Sequence, residues 1–324
     1  MVGRFDLPNR KTVLLINFRY HLVSLTAVFL ALTVGLILGT AALNGPAVER
    51  LQSATQGLRD SNDQLRAEIN ELEDQLGDDQ AFAAEIAPAY LAGMLTDKNV
   101  LIVALPGVET DTVDGVVEML GYSGATVSGR ISVLDEFFDP DNADQLVDLV
   151  DNEITPATVQ PPVTYDGVAA MSYVLAAVTT GKADGTAVEI AAGDITKVTT
   201  SLNELSMLTV EEEPTGVADG VLVLAGPGST DSDSEERNNG MVALTGAFAA
   251  DVPTVYGATT STGDGNPITV LRSDEVDDVA TVDNVAVTQG QIAAVAALAD
   301  YIATGNVDHL GIGEGMSDLL PGAA

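Results

Sequence analysis

The chain of 324 residues carries 48 acidic against 13 basic side chains, with no cysteine and no tryptophan, for a formal net charge of −35. Such acidity repels nucleic acid and anionic lipid surfaces, and the lack of cysteine excludes a disulfide-stapled fold. The charge is also partitioned: residues 1–43 hold four basic and one acidic side chain, residues 44–324 nine basic and 47 acidic.

The first predicted element is a membrane span. Residues 22–43, LVSLTAVFLALTVGLILGTAAL, are 22 consecutive positions without a charge. At about 1.5 Å per residue they reach roughly 33 Å, enough for a hydrocarbon core of about 30 Å. Arg4, Arg10, Lys11 and Arg19 precede the run and no basic residue follows until Arg50. The positive-inside rule therefore keeps residues 1–21 in the cytoplasm and sends the rest of the chain out, which predicts a single-pass cell-membrane protein with an extracytoplasmic C-terminal domain. A second reading is a cleaved secretory signal, since Gly39, Thr40, Ala41 and Ala42 are small; a signal's apolar region is shorter, about 7–15 residues. Both readings export the same domain.

Within the span, Ala27, Ala31, Gly35 and Gly39 recur every four residues, the last two as a GxxxG, and such a stripe lets two helices approach closely in lipid. Small residues are also simply common in spanning helices. The next segment favours pairing. Leu51, Leu58, Leu65 and Leu72 form a strict seven-residue repeat, interleaved with Val48, Thr55, Asn62, Ile69 and Leu76. These are the d and a positions of a coiled coil, expected over 48–80, and one Asn at an a position suits a parallel two-stranded coil. Thr55 is a poor a residue, and Glu68 would face Glu73 of a partner; the alternative is one helix laying its leucines on its own domain or on a different protein. The expected dimerisation residues are Ala31, Gly35, Gly39, Leu51, Leu58, Asn62, Leu65, Ile69, Leu72 and Leu76. A helical connector over 81–98, kinked at Pro88, completes this part.

From Asn99 the pattern changes to short β-branched runs alternating with helical stretches. Strands are predicted at 99–107, 124–133, 220–228, 252–258 and 283–288, with a short LTV near 208. Helices are predicted at 111–120, 142–153, 163–178, within 192–208, at 235–250 and at 289–303. Apolar strands alternating with helices specify an α/β domain over 99–324 with a doubly wound, mostly parallel sheet.

Candidate sites in this domain read as structure. Leu105-Pro106-Gly107 and Gly226-Pro227-Gly228-Ser229 close strands where open sheets bind ligands, yet neither is a GxGxxG or a P-loop. The second runs into Asp231, Asp233, Glu235 and Glu236, which would repel phosphate, lack the pattern of a calcium loop, and suit the first turn of a helix. The segment Gly311-Ile312-Gly313-Glu314-Gly315 reads as a flexible tail. His309 is the one histidine in the exported part and no G-x-S-x-G occurs, so a catalytic triad is not expected. The absence of Trp removes the usual sugar-stacking surface of a glycosidase. The expectation is a protein that is not an enzyme and binds no cofactor.

The stretch from Phe18 to Gly39, FRYHLVSLTAVFLALTVGLILG, resembles the start of the actinobacterial MctB-like family, named for mycobacterial copper transport protein B. The coil after it and the strands LIVALPG and LVLAGPG fit the same layout. The resemblance implies a cell-envelope protein in copper homeostasis that helps copper leave the cell; copper is implied by the resemblance alone. In the residues themselves, soft ligands are sparse. The chain has two histidines, and methionines at 94, 119, 171, 207, 241 and 316 form no M-x-M or M-x-x-M cluster. His21, beside Arg19, reads as an interfacial residue. One apolar helix also offers no conduction path. The expected partners are the membrane, a second copy of the chain and another envelope protein, with a coiled-coil scaffold or regulator of cell-wall or division machinery as the alternative function.

Overall fold

One helix accounts for the N-terminal part of the chain. The computed structural model describes residues 13–164, 166–263, 265–273 and 276–322. Arg4, Arg10 and Lys11 of the basic N-terminal segment lie outside these. The chain divides into a first unit ending at Leu76 and a second, Gly77–Ala324. Helix α1, Val13–Leu91, is 79 residues long and passes without interruption through positions 44–47, between the expected span and the expected coil.

In the second unit, the final turns of α1 bury Ala83, Ala87 and Leu91, an i, i+4, i+8 stripe that faces a core. The chain then turns through residues 92–97 with Asp97 at φ +59°. Strand β1, Asn99–Ala104, follows, and α2, Thr110–Ser123, leads to β2, Thr126–Val133. Short 3-10 turns precede α3, Ala143–Leu149, which runs into a π turn over Val150–Ile154. Helix α4, Gly167–Thr180, begins later than the apolar pattern suggests, because Asp166 caps it by accepting from Ala169 N at 3.0 Å. A hairpin of two-residue strands, β3 Lys182–Ala183 and β4 Thr186–Ala187, precedes α5, Ala192–Glu204, and β5, Leu208–Glu212. The second half comprises β6 Gly220–Ala225, α6 Ser234–Ala249, β7 Thr254–Ala258, α7 Pro267–Leu271, β8 Val279–Val282, α8 Thr288–Thr304 and β9 His309–Leu310.

The main sheet has seven strands in the order β5-β2-β1-β6-β7-β8-β9, all parallel except β5, which pairs antiparallel with β2. Strand β1 is buried on both faces. Leu101 and Val103 enter one core, with α4, α6 and their neighbours; Val100, Ile102 and Ala104 enter the other, with α2, α8 and the end of α1. Burial on both sides is why these strands read as continuous apolar runs rather than alternating ones. The α/β architecture is the expected one.

Two expectations fail at the C-terminal edge. The strand placed at 283–288 is instead β8, Val279–Val282: pairing with β7 ends at Val282, Asp283 turns to bond the C-terminal segment, and Asn284 takes φ +65° on the way to α8. The Gly311–Gly315 stretch is not a free tail. It follows β9, a strand the sequence reading lacks, and is pinned by Arg272 and Asp283.

Candidate functional site

The first unit offers an uncovered apolar surface. Phe18–Ala41 is a helical stretch of 24 residues, long and apolar enough to cross a membrane, with none of it buried. Its threonine hydroxyls bond back along the helix, Thr33 donating to the Phe29 carbonyl at 2.7 Å and Thr40 to that of Leu36 at 2.9 Å, as suits hydrocarbon surroundings. Ala31 and Gly35 are exposed and Gly39 partly so, and a Cβ added at either glycine would meet nothing within 4 Å. A flat strip of backbone is thereby presented outward.

The same holds along the expected coil. Leu51, Leu58, Leu65, Ile69, Leu72 and Leu76 are all exposed, Leu58 at 73%, and Asn62 lies exposed among them. Beside them the polar side chains bond along the helix, Gln56 to Asp60 at 2.8 Å and Gln64 to Glu68 at 2.8 Å. These i, i+4 bonds stabilise the helix by a few tenths of a kcal/mol each and leave the leucines uncovered. All ten sequence-predicted residues thus lie along α1 with their apolar surface unpartnered. Where the heptad continues, in the second unit, Ala83 turns inward to the core while Phe82 and Ile86 stay exposed.

In the second unit the place where an open sheet of this kind takes ligands, between β1 and β6, is closed by backbone. Leu105 N donates to the Leu224 carbonyl at 2.7 Å and Gly226 N to that of Pro106 at 3.2 Å. A Cβ on Gly226 would stand 2.2 Å from the Gly107 carbonyl carbon. Asn238 completes the second turn, accepting from Ser229 N at 2.8 Å and donating to the Ser229 carbonyl at 3.1 Å. Asp233 of the acidic stretch holds Arg237 at 2.8 Å, which also reaches Asp139 at 2.7 Å, while Glu235 and Glu236 occupy the first turn of α6. Bonds from Asp141 N and from Arg237 hold the Asp139 carboxyl below its ordinary range.

Among the described residues, no three His, Asp or Glu side chains are grouped so as to hold a metal ion. His309 Nδ1 lies 3.0 Å from Thr281 Oγ1, and burial, with the Arg272 charge, lowers its pKa. Its surroundings belong to a feature the sequence reading missed. Arg272 donates to Thr281, Asp283, the Leu310 carbonyl and the Glu314 carbonyl, and Asp283 accepts from Ile312 N and Gly313 N. The signal lay in the glycines: a Cβ at Gly311 would fall 2.2 Å from Asp283 Oδ1, so the GIGEG spacing serves close wrapping around a carboxylate.

The family model described as "Copper transport outer membrane protein, MctB" matches residues 15–321. Proteins named Copper transporter MctB from Mycobacterium tuberculosis and Mycobacterium bovis are 27% identical over 310 residues, covering 93% of this chain and 98% of theirs. That of Mycobacterium leprae is 25% identical over 317 residues, covering 94% and 99%.

Proposed function

This chain belongs to the MctB family, and we propose from that premise that it works in copper handling at the cell envelope as an anchored, outward-facing, non-catalytic homodimer. The unpartnered leucine stripe of α1 is the observation that carries the dimer. Burying one leucine is worth roughly 1.5–3 kcal/mol, and a second copy in parallel register would cover Leu51, Leu58, Leu65 and Leu72 together while pairing Asn62 with its twin. The paired stalk would extend about 43 Å from Val48 to Leu76.

The donor set argues that copper does not ride on this chain. Copper(I) takes thiolate, thioether and imidazole ligands, and the chain has no cysteine, two histidines and scattered methionines. One span likewise lacks the several helices or closed barrel that a pore needs. The dimer then serves a transporting partner in the envelope, which its acidic domain engages.

Cysteine crosslinking in membranes tests the arrangement cleanly, because the native chain has none. Leu58→Cys is expected to form a homodimer disulfide and Ala67→Cys, on the opposite face, is not; equal crosslinking of both would remove the parallel coil. Copper(I) binding by the purified full chain tighter than micromolar would overturn the non-carrier part. A second reading, a scaffold for cell-wall or division proteins without any copper role, is favoured by the same poverty of soft ligands. Unchanged copper tolerance in a deletion strain would select it.

A further inference from the structure

The hairpin of β3 and β4, Lys182-Ala183-Asp184-Gly185-Thr186-Ala187, carries no large apolar side chain, and its last four residues are exposed. Two strands of two residues do not hold together by themselves in water. Asp184 at φ +50° and Gly185 at φ +69° form the tight turn at its tip. What fixes the tip to the domain is polar: Gly185 N donates to Asp251 Oδ1 at 3.2 Å, and the Tyr173 hydroxyl of α4 donates to Asp184 Oδ2 at 3.0 Å.

Both contacts end on carboxylates. Asp251 is buried between α6 and β7, and among the described residues no basic side chain pairs with it or with Asp184. The hydrogen bonding around its second oxygen is incomplete. Thr180 has one hydroxyl proton, divided between the Ala176 carbonyl at 2.8 Å and Asp251 Oδ2 at 3.5 Å, and the nearer carbonyl takes most of it. Lys182 N donates to Thr180 Oγ1 at 3.3 Å, which leaves that oxygen able to accept one bond more. A proton on Asp251 Oδ2 supplies that bond.

We propose that the tip of this hairpin is a proton-operated clasp, docked on the domain while Asp251 is protonated and released when Asp251 and Asp184 both carry charge. Release returns Asp251 to water, where it ionises near 3.8; in the docked state burial, with the Asp184 charge, keeps the proton on up to about 6. Docking is therefore strongest below about 3.8 and weakens as pH rises through about 6. Tyr173 is the other titratable group facing the pair. Burial and the bond to Asp184 push it up to about 12, so its hydroxyl stays a donor throughout and Asp251 alone sets the response.

Amide hydrogen exchange of the purified full chain in detergent, corrected for the intrinsic pH dependence of exchange, tests this. Protection of the Gly185 amide is expected to fall about tenfold from pH 5 to pH 8. In Asp251→Asn, whose amide can accept from Gly185 N and donate to Thr180 at any pH, it should be the same at both. The Val223 amide of β6 reports whether each protein stays folded, and Gly185 should exchange well ahead of it. A change below about threefold in the native chain, an equal loss in Asp251→Asn, or exchange of Gly185 no faster than that of Val223 would each overturn the proposal.

Discussion

Arg272 and Asp283 form an ion pair of 3.0 Å with side chains only 3% and 1% exposed, the guanidinium reaching across from the end of α7 to the carboxylate that follows β8. Each partner also binds backbone of the segment 310–314, so the pair is a latch as well as a bridge. Arg272→Ala leaves a buried carboxylate unpaired and should cost about 3–5 kcal/mol in urea unfolding. The double replacement Arg272→Met with Asp283→Leu should recover only part of this, because Ile312 N and Gly313 N lose their acceptor. Hydrogen exchange of those two amides would report the release directly.

Gly311 and Gly246 should respond oppositely to alanine. Gly311 has φ +131° and Asp283 Oδ1 2.2 Å from the position of a Cβ, so Gly311→Ala should destabilise by about 2 kcal/mol or more. Gly246 sits inside α6 with nothing within 4 Å, and Gly246→Ala should stabilise by about 0.5–1 kcal/mol. Denaturant midpoints of the two variants decide it.

Asp251, after α6, is a buried acid whose ionisation bears on stability. Burial, with Asp184 nearby, raises its pKa to about 6, although Gly185 N at 3.2 Å and Thr180 Oγ1 at 3.5 Å donate to it. A carboxyl whose folded pKa exceeds the unfolded value holds its proton longer in the folded state. Its contribution to stability is therefore full below about 3.8 and is lost as pH rises through about 6. Asp251→Asn should gain about 1 kcal/mol at pH 8 and nothing at pH 4, after allowance for solvent screening. Unfolding curves of the variant and the parent at the two pH values measure the difference.

Asn62 carries register rather than strength in the proposed coil. Asn62→Leu should raise the dimer's resistance to denaturant while admitting higher oligomers or shifted registers, visible as a mass above dimer in sedimentation. A variant that loses association would contradict the heptad assignment.

The parts of the fold legible in sequence are those decided locally. NVLIVA and GVLVLA read as strands because both faces of β1 and β6 are buried, and the heptad leucines read as a stripe because the periodicity is strict. The C-terminal edge was not legible. β9 is two residues long, and its place depends on Arg272 and Asp283, distant in sequence, while the polar surroundings of VATV concealed β8 behind the more regular DNVAVT. The contact of α1 with the second core was also hidden, since Ala83 and Ala87 carry little hydropathic signal yet fit a close helix approach. The placement of the ten stripe residues along one helix was readable from their spacing, whereas Arg272 and Asp283 come from different elements and meet only in three dimensions.

The latch has a further consequence for solubility. Strand β8, buried throughout, would be the last strand of the sheet were the C-terminal segment to peel away, and it would present unpaired N–H and C=O groups on an apolar ribbon. Two residues of β9, paired with β8 and held by Arg272 and Asp283, blunt that margin and leave too short a strand to recruit another. A chain shortened before His309 is therefore expected to leave the β8 edge open to pairing with the edge of another chain.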